Sequence, residues 1–312
     1  MAEPGHGTVR LKIYMKIRSL PSMGTVALAI VLTLPACRAD QSGGTTTTGS
    51  SSITTTTAAP TTTTATTGPA GGPGCPGDSE PIEDGVLLNV SEAASDAEQI
   101  SAINWESNEN CEVFTIEFTT DQSAPATTPP SVEAEFFREV GVLRVSIGVE
   151  VTAITDQLAE TALVRQVFVP RSDDRTLFVD LHLSAPALAT VVTNSSPAQV
   201  VIFLAPGGSD YPSTPAIAQN VVLISPVEGP VESPVVVNGY SRNQEANTIG
   251  RIVQGSDVLA EGFTTAADWS ETWGEFTLTL DPTGSGAADL FVGEQSAQDG
   301  SDRGVVIPID VP

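Results

Sequence analysis

Residues 142–149 (Val-Leu-Arg-Val-Ser-Ile-Gly-Val) decide the fold class, because every second position is apolar. Leu143, Val145, Ile147 and Val149 form one face, and the residues between them form a mixed face. In an extended chain, alternate side chains point to opposite faces, so a period of two is typical of a half-buried β-strand. The segment is therefore predicted to be a strand with one face in a core.

Similar segments recur on both sides of this one and are separated by turn-forming residues. Before a turn-rich break at 206–215, strands are predicted at 112–119, 132–137, 142–149, 163–169, 176–183 and 199–204. After the break, they are predicted at 221–224, 235–239, 248–254, 258–261, 273–280, 288–293 and 304–311. Only 92–100 and 155–160 show a weak helical pattern. The sequence thus predicts an all-β protein with a β domain at 75–206, a linker at 207–215 and a β-sandwich at 216–312.

The first 36 residues (1–36) are predicted to be a signal peptide. Lys16 and Arg18 precede an apolar run at 24–36, which is shorter than the roughly 20 residues of a membrane span. The run ends in Leu34-Pro35-Ala36-Cys37, which resembles the lipobox of bacterial lipoproteins. This resemblance implies a lipid on the Cys37 thiol and cleavage before that residue, so we expect an extracytoplasmic protein anchored to the cell membrane. The alternative is an ordinary secretion signal with an unrelated cysteine.

Residues 37–74 are predicted to be a disordered tether. Thr, Ser, Gly, Ala and Pro make up most of this segment, and 45–67 alone contain fourteen Thr. Such a composition has no apolar period from which a core could form. The hydroxyl groups either carry sugar or leave the segment a bare spacer, and the sequence favours neither.

The segment 216–312 resembles the immunoglobulin-like domain of bacterial spore germination. The motifs that carry the resemblance are Ile224-Ser225-Pro226, Ser233-Pro234 with Val235-Val236-Val237-Asn238-Gly239, Leu259-Ala260-Glu261-Gly262, Trp273-Gly274-Glu275-Phe276 and Ser296-Ala297-Gln298-Asp299-Gly300-Ser301. The resemblance implies an immunoglobulin-type sandwich of the kind found on envelope proteins. It implies no catalytic residues and does not imply sporulation.

The segment 75–206 resembles the AMIN-like domains, all-β modules that direct envelope proteins towards peptidoglycan. The resemblance is carried by Val164-Arg165-Gln166-Val167-Phe168-Val169, by Thr176-Leu177-Phe178-Val179-Asp180-Leu181 and by Ala198-Gln199-Val200-Val201-Ile202-Phe203. The family has Pro-Pro-Arg before its last strand, whereas this chain has Ser196-Pro197-Ala198. The arginine is missing, so no wall-binding residue is carried over from the family. The resemblance nevertheless predicts that any binding to wall material resides in 75–206 and not in 216–312.

The charge balance limits the partners. The chain has a net charge of −25, and its lysines, Lys12 and Lys16, both precede Cys37. Cleavage before Cys37 would leave 9 Arg, 37 acidic residues and a net charge of −28. Such a surface repels nucleic acids, teichoic acids and anionic lipid headgroups, so we expect no nucleic-acid partner. The charge is compatible with a neutral or cationic partner.

Three cysteines are present, Cys37, Cys75 and Cys111. If Cys37 is acylated, the other two are the remaining thiols, and an exported protein meets conditions that allow disulfides. A Cys75–Cys111 disulfide is therefore predicted, and two unpaired thiols are the alternative.

Catalytic residues are scarce. After cleavage, His182 is the one histidine that remains, and it lies on the same strand face as Asp180. We interpret it as a solvated strand histidine, with a catalytic His as the alternative. No Gly-x-Ser-x-Gly elbow, Cys-x-x-Cys pair or phosphate-binding loop occurs. The sequence predicts no enzyme, no cofactor and no metal site.

Acidic and aromatic clusters are further candidates for binding residues. Asp173-Asp174 and Asp299-Gly300-Ser301-Asp302 lack the spacing of a calcium loop, and the second is predicted to be a strand turn, with weak calcium binding as the alternative. Trp269 and Trp273 are predicted to be packing residues, with sugar stacking as the alternative. Trp273 is expected to point away from the face of Phe276, and Trp105 is assigned to the core of the first domain.

These observations predict a non-catalytic envelope lipoprotein that recognises cell-wall glycan, such as peptidoglycan, or an envelope protein. Two alternatives remain, an exported hydrolase and a structural spacer without a ligand of its own.

Replacing the predicted lipid acceptor tests the anchor. Cys37→Ser should release the protein from the membrane fraction, because a serine hydroxyl does not replace the thiol in thioether formation. The measurement is immunoblotting of membrane and soluble fractions after a high-salt wash. A variant that stays in the washed membranes would show that the anchor is something else.

Overall fold

The computed structural model describes Cys75 and residues 80–91, 94–108 and 110–312. The predicted signal peptide, Cys37 and the tether lie outside these residues. Within the described ranges the protein is all-β, as predicted, and its helical elements are two short 3-10 turns at Arg138–Val140 and Gln244–Ala246. None of the helices found there is long and apolar enough to cross a membrane.

The first twelve strands lie before residue 207. They are β1 Gly85–Val90, β2 Gln99–Ser107, β3 Glu112–Thr119, β4 Val132–Phe137, β5 Val142–Ile147, β6 Val151–Thr152, β7 Asp156–Leu158, β8 Val164–Phe168, β9 Pro170–Arg171, β10 Leu177–Leu183, β11 Ala187–Asn194 and β12 Gln199–Pro206. The strands predicted at 112–119 and 132–137 have the same bounds as β3 and β4. The weak helical pattern at 92–100 and 155–160 is misleading, since these stretches contain the start of β2 and all of β7.

Two sheets enclose the first core. One has the order β11-β12-β3-β2-β6, and the other begins β1-β4-β5-β10, with β8 paired to β10 and β7 paired to β8. Leu143, Val145 and Ile147 of β5 are buried in this core, as their alternation predicted. Phe114 and Ile202, from the facing sheet, belong to the same cluster. Burial of apolar surface between the sheets is the main stabilising term.

The remaining nine strands follow Pro206. They are β13 Ala216–Ala218, β14 Val221–Ser225, β15 Gly229–Pro230, β16 Val235–Ser241, β17 Asn247–Gln254, β18 Asp257–Thr265, β19 Trp273–Leu280, β20 Gly286–Gln295 and β21 Asp302–Val311. One sheet has the order β19-β16-β14-β13 and the other β15-β21-β20-β17-β18. Phe276, Leu278, Leu290 and Ile307 lie in the second core between them.

A single sheet passes through both parts of the chain. β9 pairs in parallel with β19, with Pro170 opposite Trp273 and Arg171 opposite Gly274. This pairing joins the strands around the first core to those around the second in one eleven-stranded sheet. All described residues belong to one compact unit.

The segment between the two cores is held against the first part. The Tyr211 hydroxyl donates to the Ala185 carbonyl at 2.9 Å and accepts from the Ala187 amide at 3.0 Å. Its ring meets Phe136 edge-on at 6.2 Å, and Ser213 N donates to Glu139 O at 3.2 Å. The predicted linker is therefore pinned by hydrogen bonds.

Cys75 and Cys111 form a disulfide, with their Cα atoms 5.0 Å apart. Cys111 is buried and directly precedes β3, the middle strand of its five-stranded sheet. The bond closes a loop of 36 residues. In the chain-entropy model, such a loop restricts the unfolded chain and stabilises the native state.

Removal of the disulfide should destabilise the protein. Cys75→Ser is expected to lower the free energy of unfolding by about 4 kcal/mol, the chain-entropy value for a loop of this length. Urea unfolding followed by Trp fluorescence measures the change. Reductant should shift the wild type by a similar amount and leave Cys75→Ser unaffected. Equal stabilities of reduced and oxidised wild type would refute this role for the bond.

Candidate functional site

Both faces of β10 are buried, and this determines the environment of His182. Val179 and Leu181 point into the first core. The side chains that alternate with them, Phe178, Asp180 and His182, are buried on the opposite face. His182 is 2% exposed, so the prediction of a solvated strand histidine was wrong. The face that the sequence suggested was polar is covered by residues that follow Pro206.

An aromatic cluster covers this face. His182 Nε2 and the Tyr240 hydroxyl form a hydrogen bond, and Tyr240 is fully buried. Phe168 lies 5.3 Å from Tyr240 and 5.1 Å from Trp273, measured between ring centroids. The packing of Phe168, Phe178, Val222, Tyr240 and Trp273 forms a third apolar cluster, which we call the junction cluster.

Trp273 lies on the strand face opposite Phe276, as the alternation predicted, and it is 4% exposed. Its indole N–H donates to Asp156 Oδ1 at 3.1 Å. Packing was therefore the correct prediction for this residue, and burial excludes sugar stacking on it. Trp105 is half-buried, packs against the first core and stacks on Phe114 at 5.8 Å.

A charged network lies beside the junction cluster. Arg144 donates to both oxygens of Asp180, at 2.9 and 2.8 Å, and to Glu275 Oε1 at 3.3 Å. Burial alone would lower the pKa of Arg144, but the two carboxylates raise it above its usual value. The guanidinium also lies 3.9 Å from the centroid of the Phe178 ring. This bidentate geometry compensates the fully buried Asp180 and links it to Glu275 in the second part.

A second ion-pair cluster holds the two parts together around Arg171, which is buried. Its guanidinium binds Asp268 and Glu271, both at 3.0 Å. Burial would raise the pKa of Asp268, but hydrogen bonds from Arg171 and from backbone amides lower it overall. A Cβ at Gly274 would collide with the backbone of Asp268, so the close approach of this loop requires glycine.

Trp269 lies at the tip of the Asp268 loop and is 43% exposed. Asp268 Oδ1 accepts from the amides of Trp269, Ser270 and Glu271 at 2.6, 2.9 and 3.2 Å, so the indole extends from a fixed loop. The packing predicted for Trp269 is only partial.

A groove lies at the end of the second core, next to the pinned linker. Its volume is ≈ 1070 Å³. Val227, Val231 and Val236 contribute apolar surface, and Pro212 lies among the lining residues from the linker. Three exposed carboxylates line the same groove, Glu139, Glu228 and Glu232. Such a surface suits an uncharged or cationic ligand that presents apolar faces.

The two acidic clusters lie in turns. Asp174 accepts from Ser172 Oγ and from Thr176 between β9 and β10, and Asp299 accepts from the amide and hydroxyl of Ser301 between β20 and β21. These hydrogen bonds lower the pKa of Asp299 to about 2. The turn prediction for 299–302 is confirmed. In the part of the chain that the structure describes, no three His, Cys, Asp or Glu side chains come together as metal ligands.

Sequence reasoning brought Asp180 and His182 to one strand face but missed their partners. Arg144, Tyr240 and Glu275 are far from them in the chain. The sequence signal that could have indicated this was Tyr240. It follows the predicted strand at 235–239 and, by the two-residue alternation, lies on the same face as the exposed Val236, so a large aromatic residue stands on the face expected to be polar.

Residues 220–301 match the family model described as the immunoglobulin-like domain of bacterial spore germination. The matched range contains most strands of the second core, in agreement with the resemblance inferred from its motifs. Comparison with curated proteins and with solved structures gives no significant match.

The buried histidine predicts a loss of stability in mild acid. Burial lowers the pKa of His182 from its ordinary value of 6.5 to about 4, so the unfolded chain binds the proton first. His182 therefore contributes full stability above pH 6.5 and loses it as the pH falls towards 4. The loss should approach about 3 kcal/mol, because each tenfold difference in proton affinity between the folded and unfolded chain corresponds to about 1.4 kcal/mol.

The matched variant is His182→Gln, which keeps a hydrogen-bonding group near Tyr240 and does not titrate. Urea unfolding between pH 7.5 and 4.5 should give a steeper fall for wild type than for the variant. Burial raises the pKa of Glu275, so protonation of Glu275 at low pH acts on stability in the opposite direction. Because Glu275 titrates in both proteins, the difference between the two stability curves isolates the contribution of His182. Parallel curves would contradict the prediction.

Proposed function

We propose that this protein is a non-catalytic envelope lipoprotein, fixed to the cell membrane through Cys37, whose folded part recognises cell-wall glycan or an envelope protein. The observation that carries the proposal is the match of 220–301 to the immunoglobulin-like domain of bacterial spore germination. The lipobox-like end of the signal peptide and the Thr-rich tether support the anchoring. An AMIN-like origin of the first part belongs to the same proposal and is supported by its strand motifs.

The burial and hydrogen bonding of the best candidate catalytic residues support a non-catalytic function. His182 and Asp180 form the one Asp–His pair suggested by the sequence, yet both are buried between the two cores. A general base must come within hydrogen-bond reach of a substrate proton, and neither side chain is accessible to one. Their hydrogen bonds to Tyr240 and Arg144 give them a structural role.

The groove described above is the surface we assign to a glycan. Most of its lining follows residue 206, so this assignment differs from the location in 75–206 that the AMIN-like resemblance predicts. Its walls combine prolines and aliphatic side chains with carboxylates that are able to accept hydrogen bonds from sugar hydroxyls. Binding sites for neutral ligands commonly combine an apolar surface with a few polar groups that fix orientation. Residues of the pinned linker and of the second core line the same groove, so the site depends on the folded arrangement of both.

Sedimentation with purified, insoluble cell wall tests this function. The full chain in detergent should sediment with the wall, and salt should leave the bound fraction unchanged or raise it, because screening weakens repulsion from the anionic wall polymers. Val236→Arg, in the groove, should weaken binding by about tenfold, or about 1.4 kcal/mol. Val86→Arg, at another exposed position, is the matched control and should bind as wild type.

Two results would overturn the glycan assignment. One is a wild type that does not sediment with wall, and the other is equal loss of binding in the Val236 and Val86 variants. Release of soluble peptidoglycan fragments during the incubation would support the hydrolase instead.

A further inference from the structure

Trp269 is a large aromatic residue that the folded part does not bury. Trp105 packs against the first core and Trp273 belongs to the junction cluster. Trp269, in contrast, is 43% exposed and is a member of none of the three apolar clusters in the described part of the chain. Tryptophan is highly buried on average, and it is enriched where a protein contacts a ligand or partner. The indole is therefore a candidate contact surface.

Three loops meet at the guanidinium of Arg171, and one of them carries Trp269. Nε and Nη2 bind the Asp268 loop, as described above, while Nη1 donates to the carbonyl oxygens of Glu150 and Arg175 at 2.7 and 3.1 Å. The side chain of Arg171 is buried, so its charge is used in holding these loops together. Both parts of the chain thus contribute to the surface around Trp269.

The loop that carries Trp269 is fixed without a ligand. Asp268 accepts the three successive backbone amides that follow it, and Ala267 N donates to Glu275 O at 2.9 Å, which ties the start of the loop to β19. A loop that is ordered only on binding reduces affinity by the entropy that it loses. Because this loop is already ordered, the indole is presented without that loss.

Arg175 adds an independent observation. Its φ of 75° lies in the left-handed region, where arginine is strained and glycine is not. Arg175 N donates to Ser172 O at 2.9 Å, so the residue closes a tight turn that glycine would also form. The turn therefore does not explain an arginine at this position. Strained residues cluster at functional sites, which makes the exposed side chain of Arg175 a candidate ligand-binding group.

The exposed groups of these loops match the chemistry of a neutral sugar. A pyranose ring has an apolar face of C–H groups, which the negative face of an indole attracts, and a rim of hydroxyls. The planar guanidinium of Arg175 donates several hydrogen bonds, and the exposed carboxylates of Glu150 and Glu271 accept them. A neutral sugar also avoids the repulsion that this acidic chain exerts on anions.

This surface is separate from the groove. β16 and β19 pair in antiparallel order, with Val236 opposite Thr279 and Ser241 opposite Gly274. Thr279 and Gly274 are five residues apart, or roughly 17 Å along a strand. The groove lies at the Val236 end of this strand pair, and the Asp268 loop precedes its other end. A substitution in one surface is therefore expected to leave the other intact.

We propose that Trp269 is the stacking platform of a second sugar-binding site, at which Glu150, Arg175 and Glu271 bind the ring hydroxyls of a neutral glycan. This inference rests on the proposed function, takes its glycan branch and adds a contact outside the groove. A peptide is the other class of ligand that an exposed indole accepts, and the test separates the two.

The test uses the full chain in a detergent without a sugar headgroup and the tetramer of N-acetylglucosamine as the probe. Limited N-bromosuccinimide oxidises exposed tryptophans first, and peptide mapping by mass spectrometry locates the oxidised residue. The tetramer should protect Trp269 and leave the oxidation of Trp105 and Trp273 unchanged. Because the sugar carries no charge, protection should be insensitive to salt.

Variants measured by titration calorimetry separate binding from folding. Trp269→Ala should weaken tetramer binding by about tenfold, or about 1.4 kcal/mol, and leave the melting temperature unchanged, because this side chain belongs to no apolar cluster. Trp269→Phe keeps a flat ring and should lose less. Arg175→Gly removes the left-handed strain, so it should weaken binding without lowering the melting temperature. Phe263→Ala removes another exposed aromatic side chain and is the matched control, expected to bind as wild type.

Three results would overturn the proposal: no protection of Trp269 by the tetramer, equal tetramer affinity of wild type and Trp269→Ala, or protection by the capped peptide Lys-Ala-Lys-Ala in place of the tetramer. Val236→Arg, which alters the groove, should leave protection of Trp269 as in wild type. A wild type that sediments with cell wall but shows no protection of Trp269 would refute this inference and leave the proposed function standing.

Discussion

The parallel pairing of β9 with β19 is the constraint on which the rest of the structure depends. Because two residues from each strand join, the sheet beside the first core continues into the sheet beside the second. The outward faces of the two halves are thereby brought together and buried, and a face that would be solvated in an isolated sandwich becomes interior. The junction cluster, the histidine and the ion pairs are consequences of this closure.

The chemistry of that interior is asymmetric. Aromatic side chains supply apolar burial, while the partly exposed Arg144 compensates the charge of the fully buried Asp180. An intact buried pair contributes little net stability, whereas a pair that loses one member is costly, since the other charge stays buried. We therefore infer that the buried ion pairs contribute more to selecting one arrangement of the two cores than to the free energy of unfolding. A charged histidine at this buried position would also be costly, so burial lowers the pKa of His182 and favours its neutral form.

The sequence was informative where periodicity alone determines structure. The alternation at 142–149 predicted a strand and its inward face correctly, because a two-residue period has one physical interpretation. β2 was obscured by the register shift between Ile100 and Ala102, which breaks the alternation. The environment of His182 was beyond single-strand reasoning, because its cover comes from β16 and β19, which lie much later in the chain.

The disulfide also sets the path that a mechanical load would take. If Cys37 is anchored, tension on the tether reaches the folded part at Cys75 and passes through sulfur to Cys111. Residues between the two cysteines, including β1 and β2, are then bypassed. The pull enters at β3, which is hydrogen-bonded on both sides by β12 and β2, instead of at an edge strand. A central strand distributes the force over the hydrogen bonds on both of its sides. The folded part therefore resists a force that would separate an edge strand one hydrogen bond at a time.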